Sequence, residues 1–245
     1  MNSIRDLIHA HVGRPALILG GGMSMIEDAE RAPEDCVKIS ANQHGCLWKK
    51  CDFIVSIDNL ARRPLEREDK STYLLRDFNT PIISPRRDLA TYRMFKQPTS
   101  SSGVSAAWCA WVMGCAPILL AGMSLYKEGK KAVYWHNKEA KSSGVLIPIT
   151  NHFNRWEMMV REAGMIQLRV MSGPLLERYP AYDPNEPPPA PPARELIEKA
   201  IGGVRVKVIA KEWKLPPDLY KRDQIVEVSD GEARSGFFQK VITRA

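Results

Sequence analysis

Ala16-Leu17-Ile18-Leu19-Gly20-Gly21-Gly22-Met23-Ser24-Met25 is an apolar run that stops at three glycines and a serine. The run predicts a buried strand, the glycines a turn, and Ser24 the start of a helix. Glycine reaches positive φ and carries no Cβ to block a ligand, and a helix start presents unpaired N–H groups to an anion. A phosphate-bearing ligand at Gly21, Gly22 and Ser24 is therefore the first functional expectation. The spacing departs from the full G-x-G-x-x-G fingerprint, and the same turn also serves where a helix simply packs tightly on a sheet. Both readings stand on these residues alone.

Outward from this stretch, apolar β-rich runs alternate with helical patterns. Ala16–Leu19, Val37–Ser40, Phe53–Ile57, Pro81–Ser84, Ile118–Ala121 and Ile166–Met171 read as strands; Met25–Glu30, Val104–Gly114 and Phe153–Ala163 read as helices. That alternation predicts an α/β fold, a doubly wound, mostly parallel, Rossmann-like sheet with ligands at the carboxyl ends of its strands. Asp183-Pro184-Asn185-Glu186-Pro187-Pro188-Pro189-Ala190-Pro191-Pro192 breaks the pattern, since prolines lack N–H donors and favour an extended, semi-rigid conformation. The expected organisation is a nucleotide-binding domain over 1–182, a linker over 183–193 and a small β-rich docking module over 194–245. Within that module Arg194–Ile201 reads as a short helix, Val204–Ile209 and Gln224–Val228 as strands, and Asp230–Arg234 as a turn or short closing helix.

The 245 residues, 44% of them hydrophobic, suffice for one substantial core and an appendage. The most apolar stretch, Val104 to Gly122, is interrupted by Gly114 and Pro117, so it reads as a buried helix and strand and not as a membrane span. The first residues lack the pattern of a signal peptide, and the cytoplasm is the expected compartment. Five cysteines (Cys36, Cys46, Cys51, Cys109, Cys115) form no C-x-x-C pair and are read as reduced. A zinc set of His44, Cys46 and Cys51 ranks below that reading, and no metal is expected. The net charge of +7 is spread along the chain without a dominant basic block, so a solvated basic surface is favoured over specific nucleic-acid binding.

Three further clusters fall where this fold places strand ends. Ser40-Ala41-Asn42-Gln43 offers amides that donate to and accept from a base or ribose, although Asn42 alone is also a common turn former. Thr99-Ser100-Ser101-Ser102-Gly103-Val104 leads hydroxyls and a glycine into a helix, where a plain cap needs only one serine. Leu120-Ala121-Gly122-Met123-Ser124-Leu125-Tyr126 ends a strand in a tyrosine, with Tyr134, His136 and His152 beyond it. Tyrosine hydroxyls can hold a phosphate. His152, read as standing on a loop just before a helix, is placed to act as a general base near neutral pH, against the commoner fate of a surface or capping histidine.

In their order these elements resemble the bacterial sialyltransferases of glycosyltransferase family 42 and the related 6-hydroxymethylpterin diphosphokinase-like proteins. Gly20-Gly21-Gly22-Met23-Ser24 is similar to that family's Gly-Asn-Gly-Pro-Ser loop, and Ala41-Asn42-Gln43 to its Cys-Asn-Gln stretch. Ser101-Ser102-Gly103-Val104 is similar to a Thr-Ser-Gly-Val helix start, Ala121–Tyr126 to a Ser-Gly-Ile-Asp-Phe-Tyr strand end, and His152 to a histidine ahead of the last core strand. The likeness covers about residues 14–176. It implies a donor of the cytidine nucleotide-sugar type, held by Gly21, Gly22, Ser24, Asn42, Gln43, Ser102 and Gly103. Tyr126 and Tyr134 would then contact the phosphate and His152 would deprotonate a glycan acceptor, with no cofactor or essential metal. Gly21 and Met23 replace the family's asparagine and proline, and Ser124 replaces its acid, departures that bear on which nucleotide is held and on whether catalysis survives. The tail resembles small β modules of bacteriophage virion proteins. That likeness implies the alternative of a non-catalytic assembly protein docked through 194–245, in the cytoplasm or in a virion. A homo-oligomer is expected on either reading.

Overall fold

The computed structural model describes residues 2–57, 65–66, 72–73, 75–94, 101–123, 134–136, 149–202, 204–208, 225–228 and 242–244. In chain order its strands are β1 (Asn2–Ser3), β2 (Ala16–Leu19), β3 (Val37–Ala41), β4 (Phe53–Val55), β5 (Leu65–Glu66), β6 (Thr72–Tyr73), β7 (Ile82–Ser84), β8 (Tyr92–Arg93), β9 (Ile118–Ala121), β10 (Leu168–Val170), β11 (Val204–Val208), β12 (Ile225–Val228) and β13 (Ile242–Arg244). Its α-helices are α1 (Met25–Glu30), α2 (Ser102–Val112), α3 (Ile149–Ala163) and α4 (Arg194–Ile201).

Eight strands form one sheet in the order β1-β8-β7-β4-β3-β2-β9-β10, and every neighbouring pair is parallel. Strands buried on both faces read as continuous apolar runs, which is why Ala-Leu-Ile-Leu at β2 and Ile-Leu-Leu-Ala at β9 carry no polar alternation. Their side chains still divide by face. Ile18, Ile39, Val55 and Leu120 pack with α2 and α3, whereas Leu17, Leu19, Leu119 and Ala121 pack with Met25 and Ala29 of α1. From Val104 to Val112 every residue of α2 is buried, Trp108 and Trp111 included, so this helix is apolar all round and forms the spine of one layer. The amphipathic α3 turns Phe153, Trp156, Met159 and Ala163 inward.

One feature differs from the sequence reading. α3 begins at Ile149, not Phe153, so His152 stands in its first turn instead of on the preceding loop. The helix starts directly after Pro148, a residue that disfavours helix before it and leaves it free to begin behind it. The proline-rich stretch is held against the sheet domain: Gln167 Nε2 donates to Ala190 O at 2.7 Å, His9 Nε2 lies 2.9 Å from Pro192 O, and Arg169 faces Glu186 at 3.7 Å. α4 follows it back, burying Ile197 and Ile201 in the same core cluster as Trp111 and Phe153. β11, β12 and β13 form a separate three-stranded antiparallel sheet in the order β12-β11-β13. The turn or helix expected over Asp230–Arg234 lies outside the described residues.

Candidate functional site at the carboxyl edge

The chain runs from β2 outward through β3, β4, β7 and β8, then returns to β2's other side with β9 and β10. Order therefore reverses between β2 and β9, and in open parallel sheets the crevice outside such a reversal is the usual ligand position. Here the two strand ends are sewn together. Gly20 N donates to Ala121 O at 2.9 Å and Gly22 N to Gly122 O at 2.7 Å. Gly122 sits at φ +65, and a Cβ on it would stand 2.5 Å from Met25 Cβ, so only glycine lets α1 close on this turn.

A buried carboxylate locks the arrangement. Asp28, 1% exposed, accepts from Gly122 N (3.0 Å), Ser24 Oγ (3.0 Å), Ser172 Oγ (2.7 Å) and Arg31 Nη2 (2.8 Å). One carboxyl group thus ties together the turns after β2, β9 and β10. Ser24 occupies the position before α1 with helical backbone angles and makes no capping bond, its hydroxyl turned instead to Asp28 and Ser172. The sequence reading missed Asp28. Its signal was an acid one turn after Ser24, on the same helix face as the inward Met25 and Ala29.

On the other side of β2 the turn meets β3's loop. Asn42 takes the left-handed conformation (φ 57), a role asparagine tolerates well. Ser40 Oγ donates to Asn42 O at 2.6 Å and accepts from Gly45 N at 2.8 Å, fixing the turn that carries Gln43 and His44. Gln43 Oε1 and Trp135 Nε1 are buried without hydrogen-bond partners among the described residues. Trp135 N donates to Gly21 O at 3.1 Å, which brings Tyr134-Trp135-His136 onto the glycine turn. A Cβ on Gly21 would stand 2.5 Å from Tyr134 Cδ1 and 2.8 Å from His44 Cε1, so Gly21 admits an aromatic cluster. Tyr134 and His136 are stacked at 5.6 Å, and His44 packs against both rings, at 4.7 and 5.1 Å.

His44 Nδ1 lies 2.9 Å from His136 Nε2, one ring nitrogen donating and the other accepting. Burial, aided by His136, depresses the His44 pKa to about 3, so this ring is neutral at physiological pH. Ser102 Oγ accepts from Ile57 N at 3.4 Å and joins the end of β4 to the start of α2. Met123 Sδ is 3.0 Å from where a Gly20 Cβ would stand and 3.1 Å from that of Gly103, so the thioether bridges the end of β2 and the start of α2.

The structure thus brings Gly21 into contact with Tyr134 and the loop of Asn42, Gln43 and His44, links Gly22 and Ser24 to the β9 end, and links Gly103 to that end through Met123. Tyr126 lies outside the described residues. His152 comes from α3, an element that none of these contacts involves. It is half-buried, and burial followed by the neighbouring Arg155 charge lowers its pKa below the usual histidine value. Among the described residues no group of three or more His, Cys, Asp or Glu side chains is placed to hold a metal ion, and no helix is long and apolar enough to cross a membrane.

Comparison with known proteins adds little to this geometry. No family model matches the chain, and no curated protein matches it. Among solved structures, the MAf glycosyltransferase from Magnetospirillum magneticum AMB-1 is similar at 12% identity with a TM-score of 0.46, over 79% of this chain. The chain spans 37% of that protein's length. The Rossmann-like α/β assignment rests on the parallel sheet itself.

Proposed function

We propose that this chain is a nucleotide-sugar-dependent glycosyltransferase that takes its donor at the carboxyl edge of β2 and β3. The observation that carries the reading is the meeting of the Gly21 turn, the Asn42–His44 loop and the Tyr134–His136 segment beside the reversal of strand order. Parallel sheets bind nucleotides at such points because several loops converge there with backbone N–H groups and few side chains. Gln43 and Asn42 would read the nucleoside, cytidine in the family resembled. Ser102 and Gly103, with Tyr134 and Tyr126, would hold the phosphate. The transferred sugar would be of the sialic-acid type.

Transfer would proceed by attack of an acceptor hydroxyl on the anomeric carbon as the nucleotide leaves. His152 is the base in this reading, and its depressed pKa keeps an unprotonated nitrogen available at neutral pH. Thermal-shift titration with millimolar CMP, UMP, GMP and AMP tests the reading, since a ligand at 100 times its Kd adds about 2.7 kcal/mol. Stabilisation by one nucleotide supports it, and no response to any of them overturns it. With turnover in hand, His152→Ala should lower kcat by roughly 10²–10⁴ while leaving nucleotide binding in place.

A second reading has its own observation. The spaces a Cβ would need at Gly20, Gly21 and Gly122 are filled by protein, and Ser24 is engaged with Asp28 and Ser172. A fold that closes its own crevice suits a non-catalytic assembly protein docked through its C-terminal strands. Failure to bind nucleotides, together with co-purification in a large particle, would favour it.

A further inference from the structure

The turn after β3 carries two thiols as well as the site loop. Leu47 N donates to Gln43 O, and Trp48 N and Lys49 N both donate to Gly45 O at 3.0 and 3.1 Å, coiling residues 43–49 back toward the entry to β4. Cys51 enters there, with Sγ 3.5 Å from Lys49 O and 3.1 Å from where a Cβ on Gly45 would stand. The two thiols influence one another, and both side chains pack against the same apolar cluster beneath α1. The two differ in access: Cys51 is 2% exposed, whereas Cys46 is half-buried.

We propose that Cys46 and Cys51 are an oxidation site, at which a small-molecule disulfide of the glutathione type converts the two thiols into an intramolecular disulfide across the turn bearing Asn42, Gln43 and His44. The more accessible sulfur acts first. Cys46, as thiolate, attacks one sulfur of the small disulfide; that S–S bond breaks, a mixed disulfide forms on Cys46, and one small thiolate leaves. Cys51 then attacks Cys46 Sγ, the protein disulfide forms, and the second small thiolate departs with the Cys51 proton. Two protein thiols give up two electrons and two protons, and the small disulfide becomes two thiols.

The chemistry of the pair fits this order. The neighbouring Cys51 thiol lowers the Cys46 pKa, while the Cys46 sulfur and then burial raise that of Cys51. Thiolate character and access together select the attacking sulfur. The other three cysteines are closed off, with Cys36, Cys109 and Cys115 no more than 3% exposed. Burial pushes Cys36 and Cys115 up to about 12 and raises Cys109 as well.

The test treats the folded, full-length chain with oxidised glutathione and reads intact mass and a tryptic map. Cleavage after Lys49 or Lys50 separates the two cysteines, so a bridge appears as two linked peptides. Wild type should lose two hydrogens and two of its five titratable thiols, with Cys46 linked to Cys51. Cys51→Ser should stop at a stable glutathione adduct on Cys46, and Cys46→Ser should take up none. A persistent adduct on wild-type Cys46, a bridge to any other cysteine, or an unreacted chain under conditions that modify the urea-unfolded protein would each overturn the assignment. The wild-type measurement decides by itself if a serine variant fails to fold.

Discussion

His44 is ionisable in the unfolded chain and neutral once the β3 loop, Tyr134 and His136 enclose it. Its pKa falls from 6.5 unfolded to about 3 folded, so the unfolded chain binds the extra proton between those values. The contribution to stability is full above pH 6.5 and is lost as pH falls toward 3, at about 1.4 kcal/mol per pH unit. Unfolding free energies from urea titrations at pH 7.5 and pH 5 should therefore differ by about 2 kcal/mol from this residue alone. His11 and His152, shifted in the same direction, add to the slope. His44→Gln should flatten it, and an unchanged slope in that variant would remove His44 as the cause. Asp28 offers a second test at the same scale. Asp28→Ala leaves Gly122 N–H and the Ser24 hydroxyl without their acceptor and removes one of the two acceptors of Ser172 and of Arg31, and chemical denaturation should show a loss of about 3 kcal/mol or more. Gly122→Ala adds a methyl into Met25 at a left-handed position and should lose roughly 2 kcal/mol.

Elements were legible in the sequence to the extent that burial alone dictates them. β2, β9, α1 and α4 have the bounds their apolar patterns predict, and the parallel sheet follows from runs with no polar alternation. β1 and β8, two residues each, carry too little pattern to be seen before β8 lies beside β7 and β1 beside β8. Less of the site could be read. The glycine turn announced a close approach but not what approaches, because the partners, Tyr134 and His44, arrive from distant segments. Asp28 was harder to recognise, since the four donors it gathers come from residues as far apart in the chain as Ser24 and Ser172. α2 supplies the prediction at this scale. Trp111, fully buried in its last turn, should on substitution by alanine lose about 3–5 kcal/mol in an equilibrium urea titration, because a rigid, closely packed layer cannot collapse into the gap.

For the whole molecule, the proline-rich stretch is pinned at several points. Prolines signal a spacer, yet Ala190 O and Pro192 O are taken up by Gln167 and His9, and Ile197 and Ile201 reach the main core. The physical unit of the sheet domain therefore runs through Gly202, whose carbonyl accepts from Arg5. A chain ending at Gly202 should keep the sheet domain's denaturation midpoint, whereas one ending at Asp183 should lose several kcal/mol through exposure of the surface that α4 covers. Equal midpoints for the two truncations would show that α4 contributes nothing to the core.

The reversal of strand order also has a bearing on synthesis at the ribosome. β2 pairs with β3 early but finds its second neighbour only when Ile118 has been made, so a nascent half-sheet bears a wholly apolar strand as a bare rim. Until β9 arrives, that rim is a place for a chaperone to hold or for another copy to stick.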